Sequence, residues 1–274
     1  MIWQCGEFSL SFDGPRVMGI VNVTPDSFSD GGVHESVDAA VEHAYRLVAD
    51  GADIIDVGGE STRPGADPVP TELELARAVP VIAALSDIGV PVSIDTVKPE
   101  VMVAAIDAGA SIVNDVNGLR ARGAVEAVSG SGCGVVVMHM QGEPKTMQDA
   151  PSYHDVVGEV TTFLTERISA VVSAGVARER IAIDPGIGFG KTFAHNLALI
   201  RNLDALTDLG RPVMVGLSRK GLIGTITGRA IAERDAGSIA GALVAAERGA
   251  RILRVHDVRG TCDALAVWSA IGRP

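Results

Sequence analysis

The chain has 274 residues, of which 47% are hydrophobic but only 4% aromatic, and a formal net charge of −11. The acidic balance argues against a nucleic-acid-binding face, and no apolar run approaches the roughly 20 residues that cross a bilayer. Three scattered cysteines, Cys5, Cys133 and Cys262, make neither a disulfide framework nor a Cys-x-x-Cys metal site; with no signal-peptide pattern over residues 1–12, a reduced, cytoplasmic setting is expected.

Two weakly alternating runs precede Val17, the second over residues 8–12, and predict a small hairpin that plugs one end of the fold. The first buried strand covers 17–21 and closes in Asn22. A pattern then recurs: a helix-like stretch, a glycine, a short apolar run, a polar residue. The amphipathic stretch 38–49 leads through Gly51 to Ile54, Ile55 and Asp56, and the stretch 72–85 leads through Gly89 to Val92, Ser93, Ile94 and Asp95. Gly109 leads to Asn114, Gly132 to Met138 and His139, and Gly175 to Asp184. Gly210 leads to 213–216, with Ser218 beyond, and Gly249 leads to Arg254 and His256.

Glycine accepts the left-handed turn that stops a helix. Apolar runs this short and rich in β-branched residues read as strands covered on both faces. Alternating strands and helices imply a parallel sheet. Eight such units predict an α/β fold, a (β/α)8 TIM barrel with a short N-terminal β-hairpin, in one domain over 1–274. An open doubly wound sheet is the other architecture with this alternation.

A barrel of this kind works at the C-terminal ends of its strands. Those ends carry Asn22, Asp56, Asp95, Asn114, His139, Asp184, Ser218, Arg254 and His256. Carboxylates and carboxamides facing an Arg-His pair make a polar pocket. Asp and Asn can hold an amino-pyrimidine edge by paired hydrogen bonds, while Lys220, Arg254, His256 and Arg63 suit phosphate or carboxylate oxygens. A helix start near Ser218, Arg219 and Lys220 adds backbone N–H groups that attract anions. Two long glycine-containing connections, 23–35 and 58–70, stand at the same mouth as binding loops. Bland readings exist for single residues: Asp95 or Asp184 as a helix cap, Lys220 as a solvated charge, His256 or Lys191 as structural. Gly186, Gly188 and Gly190 resemble part of a phosphate loop, but that spacing is a weak signal.

The run from Met18 through Asn22, Thr24, Pro25, Asp26 and Ser27 to Gly32 resembles the first signature of the dihydropteroate synthase family of pterin-binding barrels, and Asp56-Val57-Gly58-Gly59-Glu60-Ser61-Thr62-Arg63-Pro64-Gly65 resembles the second. Further similar segments are Ser93-Ile94-Asp95-Thr96, Val113-Asn114-Asp115-Val116, Met138-His139-Met140-Gln141-Gly142, Asp184 to Lys191, Gly216-Leu217-Ser218-Arg219-Lys220 and Arg254-Val255-His256-Asp257. The resemblance implies a transferase of folate biosynthesis that condenses 6-hydroxymethyl-7,8-dihydropterin pyrophosphate with 4-aminobenzoate, is blocked by sulfonamides, uses Mg2+ and acts as a homodimer.

It further implies that Asp56, Asp95, Asn114, Met138, Asp184 and Lys220 hold the pterin. Asn22, Arg63, Arg254 and His256 would hold the pyrophosphate, with Asn22 also touching the metal. Phe28, Thr62, Arg63, Pro64, Phe189, Ser218 and Gly221 would shape the aminobenzoate site. Asp95, Arg63, Lys220, Arg254 and His256 are the implied catalytic set. Gly221 stands where many members of the family have a serine. A methyltetrahydrofolate:corrinoid methyltransferase would share the Asp and Asn clamp without needing Ser-Thr-Arg-Pro-Gly or Arg-Val-His-Asp. A non-catalytic paralogue would be expected to lose reactive positions that this chain keeps.

Overall fold

The computed structural model describes residues 1–23, 33–61 and 65–272. Strands β1 (Ile2–Cys5) and β2 (Phe8–Ser11) pair antiparallel into the expected hairpin. Eight further strands are parallel: β3 (Arg16–Asn22), β4 (Ile54–Gly58), β5 (Val92–Asp95), β6 (Ile112–Asp115), β7 (Gly134–Met138), β8 (Ile181–Asp184), β9 (Met214–Val215) and β10 (Ile252–Val255). Their order is β8-β7-β6-β5-β4-β3-β10-β9. A parallel bridge between Ile183 and Val213, with the Ile183 N–H donating to the Pro212 carbonyl at 2.9 Å, joins the two ends. The sheet thus closes into a barrel, and the open doubly wound alternative falls away.

Helices cover the outside: α1 (Val33–Ala49), α2 (Thr71–Ala84), α3 (Pro99–Asp107), α4 (Ala124–Ser129), α5 (Val156–Ser173), α6 (Phe193–Arg201), α7 (Asp204–Thr207), α8 (Gly221–Thr227), α9 (Asp235–Glu247) and α10 (Val258–Gly272). Local chemistry fixes their starts. Pro99 opens α3 at a position where its missing N–H costs nothing. Asp155 accepts the Val157 N–H to cap α5, and Thr192 and His195 form a capping box on α6. Six of the seven glycines expected to stop helices have positive φ; Gly132 does not. Its carbonyl instead accepts the Gly6 N–H at 2.9 Å, so it serves the hairpin contact. Among the described residues no helix is long and apolar enough to cross a membrane.

The barrel has an apolar floor. Met18, Ile54, Ile112, Val136, Ala182, Met214 and Ile252 point inward and pack on Trp3 and Cys5 of the hairpin. Trp3 is fully buried, and its indole N–H donates to the Arg180 carbonyl at 2.9 Å. Gly134 makes room for this: a Cβ there would lie 2.6 Å from Cys5 Sγ and 3.2 Å from the Trp3 ring. The intervening residues, such as Val57, Ile94, Val113 and Val135, face the helices in a separate core. Trp3→Ala is expected to cost about 3–5 kcal/mol, the usual cost of emptying a large aromatic site. Urea denaturation measures it; a loss below about 1 kcal/mol would mean that the hairpin does not seal the floor.

Candidate active site

Side chains two residues apart on a strand share a face. One step above the apolar floor, that rule turns the barrel interior polar: Asp56 follows Ile54, Asn114 follows Ile112, Met138 follows Val136, Asp184 follows Ala182 and Arg254 follows Ile252. Asp95 joins them because it pairs in register with Asn114 on one side and Gly58 on the other. A Cβ on Gly58 would make only ordinary contact, 3.7 Å from the Asp95 side chain and 3.8 Å from Asn22 Oδ1.

Asp56 departs from its expected place. It lies within β4, which runs on to Gly58, and is fully buried. Asn22 and Asp95 do end their strands, whereas His139 lies one residue past β7 and Ser218 three past β9.

Arg254 organises the floor of the cleft. Its Nε donates to Asp56 Oδ2 at 2.6 Å and a terminal nitrogen donates to Asp95 Oδ2 at 2.8 Å. Asn114 Nδ2 donates to the same Asp56 oxygen at 3.2 Å. Burial disfavours the guanidinium charge, but the Asp56 and Asp95 carboxylates outweigh burial and hold its pKa above the ordinary value. One guanidinium does not satisfy both acids. Burial pushes the Asp95 carboxyl up to about 7, with Asp56 adding to the shift and Arg254 opposing it. Asp184 Oδ1 accepts the Gly186 N–H at 2.6 Å, and burial raises this carboxyl against the pull of Lys220.

Lys220 is no solvated charge. Its ammonium donates to the Ile187 carbonyl and lies 4.8 Å from the centroid of the Phe189 ring. Burial brings it down to about 8, with Asp184 opposing the fall.

Asp56 Oδ1, Ser93 Oγ, Asp95 Oδ1 and Asn114 Oδ1 are buried and lack a partner among the described residues. Each such atom costs about 1–3 kcal/mol if left dry. Three carboxyl or amide oxygens and a hydroxyl without partners in the barrel interior call for a ligand rich in N–H donors. Asp95 is not spent as a cap either, since Lys98 precedes α3 with no side-chain cap bond.

Above this layer opens a cleft of about 770 Å3 whose lining includes Asn22, Asp95, Phe189, Lys220, Arg254 and His256. The His256 N–H donates to Ser218 Oγ at 3.1 Å, and His256 Nδ1 lies 2.9 Å from the same hydroxyl, which orients the imidazole. Met138 packs in an apolar patch with Met140, Met147 and Val116, against which Phe189 rests. The expected helix start lies slightly later than read: Lys220 is the cap and Gly221 the first residue of α8, with nothing within 4 Å of the position a Cβ would take. Phe28, Thr62, Arg63 and Pro64 lie outside the described residues.

The glycine run 186–190 is not a phosphate loop in its geometry. A Cβ on Gly186, at φ +67°, would sit 1.9 Å from the His139 carbonyl oxygen, and one on Gly190 2.3 Å from that of Gln141. These glycines let the turn after β8 approach the turn after β7. Lys191 then fastens the two turns, as its structural reading expected. It is 2% exposed, and its ammonium meets His139 Nδ1 at 2.9 Å and the Phe189 carbonyl at 3.0 Å. Burial pushes Lys191 down to about 7 and, with Lys191 beside it, His139 down to about 3, so a neutral imidazole accepts from the lysine.

The sequence reading missed an ionic group beside the cleft, in which half-buried Lys98 is paired with half-buried Glu60 and fully buried Glu74. A signal was present: Glu74 shares the buried face of α2 with Ala78, Val81 and Ile82, at helical spacing.

An α/β barrel with donor-seeking oxygens in its interior and cations at its mouth defines a binder of a nitrogen-rich ring bearing an anionic group. The chain belongs to the pterin-binding enzymes, whose family model, described as pterin binding enzyme, matches residues 18–256, and within them to the dihydropteroate synthases. It is 50% identical to the dihydropteroate synthase of Neisseria meningitidis serogroup B, over 99% of this chain and 98% of that one. The Escherichia coli K12 dihydropteroate synthase is 49% identical over 96% of this chain and 93% of its own. Among solved structures, the Xanthomonas albilineans dihydropteroate synthase with 4-aminobenzoic acid superposes with a TM-score of 0.94 at 55% identity, covering 100% of this chain and 98% of that one. The Burkholderia cenocepacia enzyme complexed with 7,8-dihydropteroate gives 0.91 at 49% identity, covering 99% of this chain and 96% of that one. These relatives are synthases, not corrinoid methyltransferases.

Proposed function

We propose that this chain joins 6-hydroxymethyl-7,8-dihydropterin pyrophosphate to 4-aminobenzoate, giving 7,8-dihydropteroate and pyrophosphate in folate biosynthesis. The observation that carries the reading is the set of unpartnered buried oxygens on Asp56, Asp95 and Asn114 beside Arg254 and Lys220. The relatives support it by name, and two solved relatives hold 4-aminobenzoic acid and 7,8-dihydropteroate.

In this reading the amino-pyrimidine edge of the pterin donates to Asp184 and Asn114, Lys220 donates to a ring acceptor, and Met138 lines the ring's apolar face. Asp56 holds Arg254 in place. Asn22, Arg63, Arg254 and His256 meet the pyrophosphate. Phe28, Thr62, Arg63, Pro64, Phe189, Ser218 and Gly221 frame the aminobenzoate.

The methylene C–O bond breaks first, and its electron pair leaves with pyrophosphate, whose growing charge the cations stabilise. The pterin ring spreads the positive charge left on the methylene, and the Asp95 carboxylate favours that charge. The amine lone pair of 4-aminobenzoate then forms the C–N bond, and its surplus proton passes to solvent. No general base is needed, because an arylamine is already neutral and nucleophilic at neutral pH.

Asn22, whose side chain lines the cleft, would hold a magnesium ion through its amide oxygen, in keeping with an ion that is usually bound by few protein oxygens. Among the described residues no group of three His, Cys, Asp or Glu would hold a metal alone. When bound, the ion would neutralise charge on the leaving pyrophosphate. The chain works as one domain, in the cytoplasm, as a homodimer.

The test is inhibition of dihydropteroate formation by a sulfonamide. Competition against 4-aminobenzoate, but not against the pterin pyrophosphate, is expected. Synthesis that a sulfonamide leaves untouched would remove the aminobenzoate site from the proposal.

A further inference from the structure

Lys191 lines the cleft, yet it takes no part in the chemistry above. It is almost fully buried, and among the described residues no carboxylate pairs with it. A buried cation is costly unless its hydrogen bonds are met. The three N–H bonds of an ammonium here face three neutral acceptors: His139 Nδ1 at 2.9 Å, the Phe189 carbonyl at 3.0 Å and the His139 carbonyl at 3.4 Å.

One end of this bridge is fixed. His139 is buried, its ring meets Phe163 edge-on with centroids 4.8 Å apart, and its backbone N–H donates to the Asp184 carbonyl at 3.0 Å. The other end needs holding. Phe189 stands between Gly188 and Gly190, both at positive φ, and glycine gives up the most backbone freedom when a turn is ordered. The neighbours are tied down separately: the Gly188 N–H donates to Asn196 Oδ1 at 2.7 Å, and the Gly190 carbonyl accepts from the Tyr153 hydroxyl at 2.9 Å. Lys191 holds the residue between them.

That residue receives a cation. The Lys220 ammonium lies 4.8 Å from the centroid of the Phe189 ring and donates to the Ile187 carbonyl of the same turn. A ring attracts a cation through its face, so the attraction depends on how the ring is presented.

We propose that Lys191 is a positioning residue for pterin binding: anchored on His139, it holds the Phe189 carbonyl, sets the Phe189 ring against the Lys220 ammonium, and so fixes the cation that meets the pterin. The proposal rests on the pterin reading given above and deepens it, since Lys191 acts through Phe189 and Lys220.

The test is calorimetric binding of the pterin pyrophosphate to the full chain, with magnesium and without 4-aminobenzoate. Lys191→Met fills the same space and leaves no buried carboxylate unpaired. It is expected to raise Kd about tenfold, as loss of a well-placed cation–ring contact and its alignment would. In a Phe189→Ala background the same substitution should raise Kd less than about twofold, because residues acting through one contact are not additive. A general loss of packing would weaken both backgrounds alike. A second pair approaches from the anchor and decides the matter even where Lys191→Met fails to fold. His139→Leu removes the acceptor and is expected to match the about tenfold loss, whereas His139→Asn puts an amide oxygen in the place of Nδ1 and should stay within about threefold of wild type.

Unchanged pterin affinity in Lys191→Met or His139→Leu, an equal loss with and without the Phe189 ring, or a His139→Asn as weak as His139→Leu would each overturn the proposal. A wild type that binds no pterin pyrophosphate would instead fault the proposed function.

Discussion

Arg254→Met is expected to abolish synthesis and to destabilise the fold together. The guanidinium is shared by Asp56 and Asp95, with bonds of 2.6 and 2.8 Å, and Asp56 is fully buried. Removing the cation leaves two carboxylates facing each other out of water. Breaking a buried pair in this one-sided way costs about 3–5 kcal/mol. Catalysis should fall by at least about 1,000-fold, because in the proposed mechanism the variant loses a charge at the leaving group and the geometry of the acid beside it. Arg254→Lys should rescue little, since an ammonium cannot span two acceptors as the planar fork does. Urea denaturation and product formation give both numbers. A variant as stable as the parent and within about tenfold of its rate would break the account of the floor.

Asp95→Asn is expected to lower kcat by about 100- to 1,000-fold while leaving pterin binding measurable, because the amide keeps the shape of the carboxylate and loses its charge. The wild type should show the same effect as a function of pH. With the Asp95 carboxyl raised to about 7, chiefly by burial, kcat/KM should decline as pH falls below about 7, and the variant should lack that limb.

Stability carries the opposite sign. The unfolded chain releases this proton near the ordinary value of 3.8, while the folded chain holds it to about 7. The folded state therefore gains from Asp95 below about pH 4 and loses that gain as pH rises to about 7. The wild type's stability should fall more steeply than the variant's across that window, as read by urea titrations at several pH values.

The strands were legible because the local signal was redundant. Ile54-Ile55, Val92 to Ile94 and Ile252-Leu253 are short, β-branched or apolar, and follow glycines that take the left-handed turn. The polar character of the mouth was legible for the same reason, since Asn22, Asp95, Asn114 and Asp184 each terminate or nearly terminate such a run.

What local pattern could not give was pairing across the barrel. Asp56 and Arg254 are 198 residues apart, and their bond depends on closure of the whole sheet. Position along a strand was also misjudged: Asp56 was read as the strand end with the connection beginning at Gly58, yet the backbones of Val57 and Gly58 continue the ladder to Asn22 and Asp95. Lys98 could not be read as ionic without knowing that α2 turns Glu74 inward beside it. Gly186 and Gly190 looked like ligand-binding glycines, but the constraint on them is a neighbouring backbone.

The most direct test is pyrophosphate release from 6-hydroxymethyl-7,8-dihydropterin pyrophosphate in the presence of magnesium, measured with and without 4-aminobenzoate. Release accompanied by stoichiometric 7,8-dihydropteroate when the amine is present, and lost in Arg254→Met, is the result predicted. Pterin binding with no release under either condition would contradict the account, leaving a barrel that holds the ring without performing the transfer.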